Sequence, residues 1–191
     1  MAETEPCIII LAAPSGSGKT SMAKRLLEYF PGAFFSVSAT TRPPRDHEKD
    51  GVHYHFISAE AFRDAISADE LLEYEEVYPD CYYGTLRSEV ARSSPETPIL
   101  LDIDVVGATK VKEEFGDRCL ALFVQTPSLA ELEKRLIERG TETDQSLQTR
   151  IEKASLELTF ADEFDYVIVN DRLNRAAEEM IQIVTAYLDS L

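Results

Sequence analysis

The stretch LAAPSGSGKTSM, residues 11–22, decides the fold. It closes an apolar run, CIIILAA (7–13), which is short, continuous and rich in isoleucine, as a parallel strand buried on both faces must be. After it, KTSMAKRLLEYF (19–30) sets Met22, Ala23, Leu26, Leu27 and Phe30 at helical spacing. The order is strand, glycine-rich loop, helix. The loop itself, APSGSGKT, runs through Ala13, Pro14, Ser15, Gly16, Ser17, Gly18, Lys19 and Thr20. It differs from G-x-x-x-x-G-K-[ST] only in carrying Ala13 at the first glycine position. A phosphate loop needs backbone N–H groups turned into one concavity, which glycine permits, and a helix N-terminus facing the anion. It also needs a lysine for the β and γ phosphates and a hydroxyl for Mg²⁺, here Lys19 and Thr20. The plain alternative is a Gly-Ser turn that happens to precede a helix. The buried strand before it and the amphipathic helix after it favour the phosphate loop, and with it a bound nucleoside triphosphate.

Further along, PILLDID (98–104), CLALFVQ (119–125) and DYVIVND (165–171) read as buried strands. They alternate with helices over 105–115, 128–140, about 146–160 and 174–188. Ser128 and Glu131 stand at capping-box spacing, and Gly140 follows the helix they open. The prediction is an α/β fold: a parallel sheet with helices on both faces. Residues 36–95 break that rhythm with short strands, turns and one small helix near 59–67. They read as a mostly antiparallel insertion, leaving 1–35 and 96–191 as the core.

Charge narrows the ligands. The 191 residues hold 19 Lys and Arg against 35 Asp and Glu, a net of −16, which repels nucleic acid and anionic membranes. An anionic ligand must be small and held by local arginines. Arg42 and Arg45, in SVSATTRPPR (36–45), stand around two stiffening prolines, and guanidinium forks bind phosphate bidentately. Tyr54 and Tyr83 offer hydroxyls to the same anion. Surface pairs of the arginines with Asp46 and Glu48, and tyrosines packed in the core, are the alternative. Cys7, Cys81 and Cys119 are odd in number and widely spaced, so neither a disulfide framework nor a zinc site is expected. His53 and His55 alternate without close further ligands and read as surface residues, as does His47. The opening MAETEP is unlike a targeting segment, and no run is long enough to span a membrane, so a cytoplasmic protein is expected.

Several strings together resemble the guanylate kinase family nearly end to end. They are the phosphate loop, SxTTRxPR (38–45), GxxYxF (51–56), EYEEV and YYGT (73–85), LDID with Gly107 (101–107), RLIERGTET (135–143) and VIVND (167–171). The resemblance implies reversible, Mg²⁺-dependent transfer of the ATP γ-phosphoryl group to GMP, with dGMP as a further acceptor. It makes residues 36–95 the GMP-binding insertion and about 128–150 a helical lid. It gives Arg42, Arg45, Tyr54 and Tyr83 the GMP phosphate, and Ser38, Glu73 and Thr85 the guanine. A carboxylate at Glu73 accepts from guanine N1–H and the 2-amino group together, whereas adenine offers it a bare acceptor. An exposed acid on a strand face is the alternative for Glu73. Asp102 becomes an acid that supports Mg²⁺ through water, and Asp104 a contact on the GMP side or simply a helix N-cap.

By the same resemblance Arg135, Arg139 and Arg150 reach the transferring phosphoryl group, although Arg135 also suits a plain ion pair with Glu131. Asn170 falls near the adenine of ATP, or at a strand-end turn. The implied catalytic set is Lys19, Arg42, Asp102, Arg139 and Arg150. Val106 stands where the family usually has Gln, and His47 where it usually has Gly. Guanylate-kinase-like modules that bind protein partners without catalysis are the alternative function, but they usually lack a working phosphate loop. The choice between monomer and homo-oligomer stays open.

Overall fold

A computed structural model describes residues 5–138 and 144–191, with 144 and 145 described by their backbone alone. The chain opens with β1 (Ile8–Ala12) and passes through the glycine-rich loop into α1 (Lys19–Tyr29) and the short β2 (Phe34–Phe35). Then come β3 (Ala39–Thr40), β4 (His55–Phe56), α2 (Ala59–Ser67), β5 (Leu71–Tyr78), β6 (Cys81–Leu86) and the single turn α3 (Arg87–Val90). The remainder alternates: β7 (Ile99–Asp102), α4 (Val105–Phe115), β8 (Cys119–Gln125), α5 (Leu129–Glu138), α6 (Asp144–Leu158), β9 (Tyr166–Val169) and α7 (Leu173–Leu188).

Five strands make a parallel sheet in the order β2-β7-β1-β8-β9. Its apolar runs are continuous because both faces are covered. Ile8, Ile10, Leu101 and Phe123 point to one side and pack with Val105, Ala108 and Val111 of α4. Ile9, Leu11, Leu100 and Leu122 point to the other and meet Met22 and Leu26 of α1 and Ala177 and Met180 of α7. Successive residues thus serve opposite cores, as the period of a strand requires. The four strands read from the pattern are all present. β2, the fifth, is two residues long and carries no pattern of its own.

The second sheet runs β4-β3-β6-β5 and is antiparallel except for the β3–β4 pair. Its own small core joins Ala39, Leu71 and the α2 residues Phe62 and Ala65. Ser58 caps α2, accepting from the Ala61 N–H at 3.1 Å. The helix expected near 59–67 is therefore present at those bounds. α5 and α6 pack on each other through Leu132, Leu136 and Ala154. The Ser128 hydroxyl accepts from the Glu131 N–H at 3.2 Å, one half of the expected capping box, while the Glu131 carboxylate turns to Arg135 instead. Gly140, the expected stop, lies outside the described residues. Among the described residues no helix is long and apolar enough to cross a membrane.

Candidate active site

The site forms where the parallel strands end. β1 and β7 lie in register with Leu11 opposite Asp102, so the loop leaving β1 emerges beside that carboxylate. Within the loop Gly16 and Gly18 take φ of 96° and 91°, the left-handed region that favours glycine. The Ser17 N–H donates to the Pro14 carbonyl at 3.1 Å and closes the turn. From the end of β9, the buried Asn170 side chain donates to the Ser17 carbonyl at 2.8 Å. A β-carbon on Gly18 would fall 2.5 Å from that amide nitrogen, on a backbone whose φ of 91° already favours glycine, so a side chain there would strain the loop and displace its Asn170 brace. Lys19 and Thr20 open α1, and Lys19 forms an ion pair with Asp102.

Above the loop is a cavity of about 450 Å³. Ser15, Lys19 and Thr20 line one wall, and Arg150, Lys153 and Glu157 of α6 line another. Arg150 Nη1 donates to Ser15 Oγ at 2.8 Å, tying α6 to the loop. Arg135 donates to Glu131 at 3.1 Å and to the Asn170 carbonyl at 2.9 Å, so the plain ion pair is present and the guanidinium also reaches the strand end.

A second cavity, of about 210 Å³, opens between the two sheets. Ser38, Tyr54, Glu73, Glu75 and Tyr83 line it. Glu73 and Thr85 are cross-strand partners on β5 and β6, and the Thr85 hydroxyl donates to Glu73 Oε1 at 2.6 Å. Glu73 is buried, and burial, aided by the nearby Asp104 charge, pushes its pKa up. The surface-acid alternative for Glu73 is thus set aside. Near this cavity Arg42 lies over the Tyr54 ring, 5.1 Å from its centroid, and donates from Nε to the Tyr83 hydroxyl at 3.0 Å. The two tyrosines meet edge to face. Arg42 also pairs with Glu48 through both terminal nitrogens, and Glu48 accepts from the Arg45 N–H at 2.8 Å.

Asp102, Ile103 and Asp104 belong to the walls of both cavities. Asp104 is also the N-cap of α4, accepting from the Gly107 N–H at 2.7 Å. A phosphate-loop cavity and a smaller carboxylate-lined one therefore share a strand end. A family model for guanylate kinase matches residues 5–187. The chain belongs to the guanylate kinase family.

A guanylate kinase of Salinibacter ruber is 55% identical over 183 residues, covering 96% of this chain and 97% of that protein. One from Bacteroides fragilis is 45% identical over 185 residues, covering 96% and 91%. The crystal structure of guanylate kinase from Anaplasma phagocytophilum matches this fold with a TM-score of 0.72 at 30% identity, over 96% of this chain and 86% of that one.

Within this guanylate kinase fold, Lys19, Thr20, Asp102 and Arg150 come together at one cavity, and Ser38, Tyr54, Glu73, Tyr83 and Asp104 at the other. Arg139 lies outside the described residues. Asn170 braces the phosphate loop from behind. Val106 is half exposed on α4, and His47 is exposed. Three contributors went unread in the sequence. Lys153 follows Arg150 by three and Glu157 follows Lys153 by four, helical spacings that place all of them on one face of α6. Glu75 follows Glu73 by two on β5 and so shares its face.

The donors fit a hard divalent cation. Thr20 and Asp102 bring oxygens to one cavity, and a small octahedral ion bound by one carboxylate keeps its remaining positions for water and phosphate.

Proposed function

We propose that the larger cavity holds ATP, the smaller one GMP, and that the γ-phosphoryl group passes between them over the Asp102–Asp104 strand end, giving ADP and GDP. The observation that carries this is the shared wall: the same three residues line both cavities. Two anionic nucleotides meet there end to end, so cations must gather from several elements. Lys19 comes from α1, Arg150 and Lys153 from α6, and Arg42 from the segment that leaves β3. Positioning and charge neutralisation then carry the reaction, with no covalent intermediate. Mg²⁺, held by Thr20 and through water by Asp102, supplies further neutralisation of the phosphates when bound.

In this reading residues 36–95 form the GMP unit and about 128–150, with Arg135, Arg139 and Arg150, the lid over ATP. Glu73, kept in place by Thr85 and flanked by Ser38, reads guanine. Arg42 and Arg45, with Tyr54 and Tyr83, take the GMP phosphate. A cytoplasmic setting suits three unpaired cysteines. A non-catalytic protein-binding role would leave both the Lys19 loop and the buried Glu73 without a purpose.

Phosphorus NMR of the protein with Mg²⁺, ATP and GMP tests the reading. ADP and GDP must appear together and reach equilibrium from either side. Folded protein that leaves both substrates unchanged would refute it.

A further inference from the structure

Gly107, in the first turn of α4, is buried, and it sits against the carboxylate of Glu73. A β-carbon placed on it would lie 2.9 Å from Glu73 Oε2 and 3.3 Å from Asp104 Oδ1. Its backbone is not among the positive-φ positions, so glycine is not required there by conformation. In a helix, glycine also costs stability relative to alanine. What glycine supplies at 107 is empty space, and Glu73 Oε2 uses it. The other oxygen, Oε1, is held by the Thr85 hydroxyl at 2.6 Å, so the carboxylate has no retreat that keeps this bond.

We infer that Gly107 is a specificity-positioning residue: by lacking a side chain, it lets the Glu73 carboxylate stand where it meets the purine edge. This rests on Glu73 as the guanine-reading group. A methyl at 107 meets side-chain ends and no backbone, Glu73 Oε2 most closely and the Asp104 cap oxygen at 3.3 Å, so the fold survives while the Glu73 carboxylate turns away. The contrast is Gly84, where a β-carbon would fall 2.8 Å from the Glu73 backbone oxygen and 3.1 Å from the Phe62 ring, an obstacle to the fold itself.

Steady-state kinetics of the full chain with GMP, AMP and ATP varied in turn, for Gly107→Ala, Glu73→Asp, the double variant and Glu73→Gln, test the inference. Gly107→Ala is expected to lower kcat/KM for GMP by about 10- to 100-fold, the usual consequence of misplacing a site group by about an ångström. It leaves KM for ATP unchanged and shifts the melting temperature by only a few degrees, since the helix gain from alanine, about 1 kcal/mol, offsets much of the lost Thr85 bond. Glu73→Asp withdraws the carboxylate by one methylene, so adding Gly107→Ala to it costs little more, a non-additivity that marks direct coupling. Full GMP activity in Gly107→Ala, a matching loss on the ATP side, or simple additivity with Glu73→Asp would each overturn the inference. If Glu73→Gln leaves the preference for GMP over AMP intact, the guanine-reading role of Glu73 falls, and the role of Gly107 falls with it.

Discussion

Arg42 and Glu48 face each other fork to fork, each terminal guanidinium nitrogen 2.6 Å from a different carboxylate oxygen. This is the geometry in which arginine holds phosphate, and Glu48 also accepts from the Arg45 N–H at 2.8 Å. The Arg42 contact drives the Glu48 pKa down to about 2, so the pair stays ionised through any working pH. The ion pair with Glu48 is thus the one formed here, beside Tyr54 and Tyr83, and a phosphate can take the same fork only by displacing Glu48 from it.

Arg42→Lys keeps the charge but loses the fork. KM for GMP is expected to rise by about 10- to 100-fold, as loss of a charge-assisted hydrogen bond implies. KM for ATP stays unchanged. Initial rates with each substrate varied separately check this, and an equal rise for both would oppose it.

In the proposed guanine-reading role, Glu73 would couple function to stability with opposite signs. Its folded-state pKa lies above the ordinary value, so the fold loses stability as pH rises through that pKa and the buried group ionises. Glu73→Gln removes that cost. It is expected to melt higher than the unsubstituted protein at neutral pH, by about 2–4 °C for each kcal/mol recovered in a chain of this size, with the advantage vanishing in acid. The same variant loses its preference for GMP over AMP. In the unsubstituted protein, kcat/KM for GMP falls on acidification at a pH above the usual glutamate range. Melting curves and rates across a pH series read both effects.

Lys19 pairs with Asp102 in a partly exposed setting, a contact worth little to the fold. Lys19→Ala is expected to cut kcat by at least about 10²–10³-fold, the scale for removing one stabilising donor, with melting nearly unchanged. Wild-type turnover in that variant would dismiss the phosphate-loop assignment.

The three thiols should behave unequally. Burial pushes Cys7 up to about 11 and Cys119 up to about 12, so neither offers thiolate or access at neutral pH. Cys81, on β6, is partly exposed. Alkylation of native protein followed by mass spectrometry should modify Cys81 alone, and the other two only after unfolding.

Much of this was legible before the structure. Runs such as CIIILAA and CLALFVQ declare themselves because a strand buried on both faces leaves no polar position, and GSGKT announces its loop by requiring left-handed glycines. β2 was not legible: two residues cannot show a period, and Phe34–Phe35 joins the sheet only because β7 lies beside it. Nor was the burial of Glu73, since LLEYEEV reads equally well with its acids in solvent. Only the packing of α4 beneath β5 closes that face. The bracing role of Asn170 depends on a residue 153 positions away, and no local pattern carries it.

The most direct test of the central claim, that one buried carboxylate selects the purine while a few cations bring two nucleotides together, is ADP release measured with GMP, dGMP, AMP, UMP and CMP side by side. GMP and dGMP are expected to support turnover, with the others lower by at least about 10²-fold, the scale of hydrogen-bond discrimination at a buried site. Comparable rates with AMP, or none with GMP from properly folded protein, would contradict it.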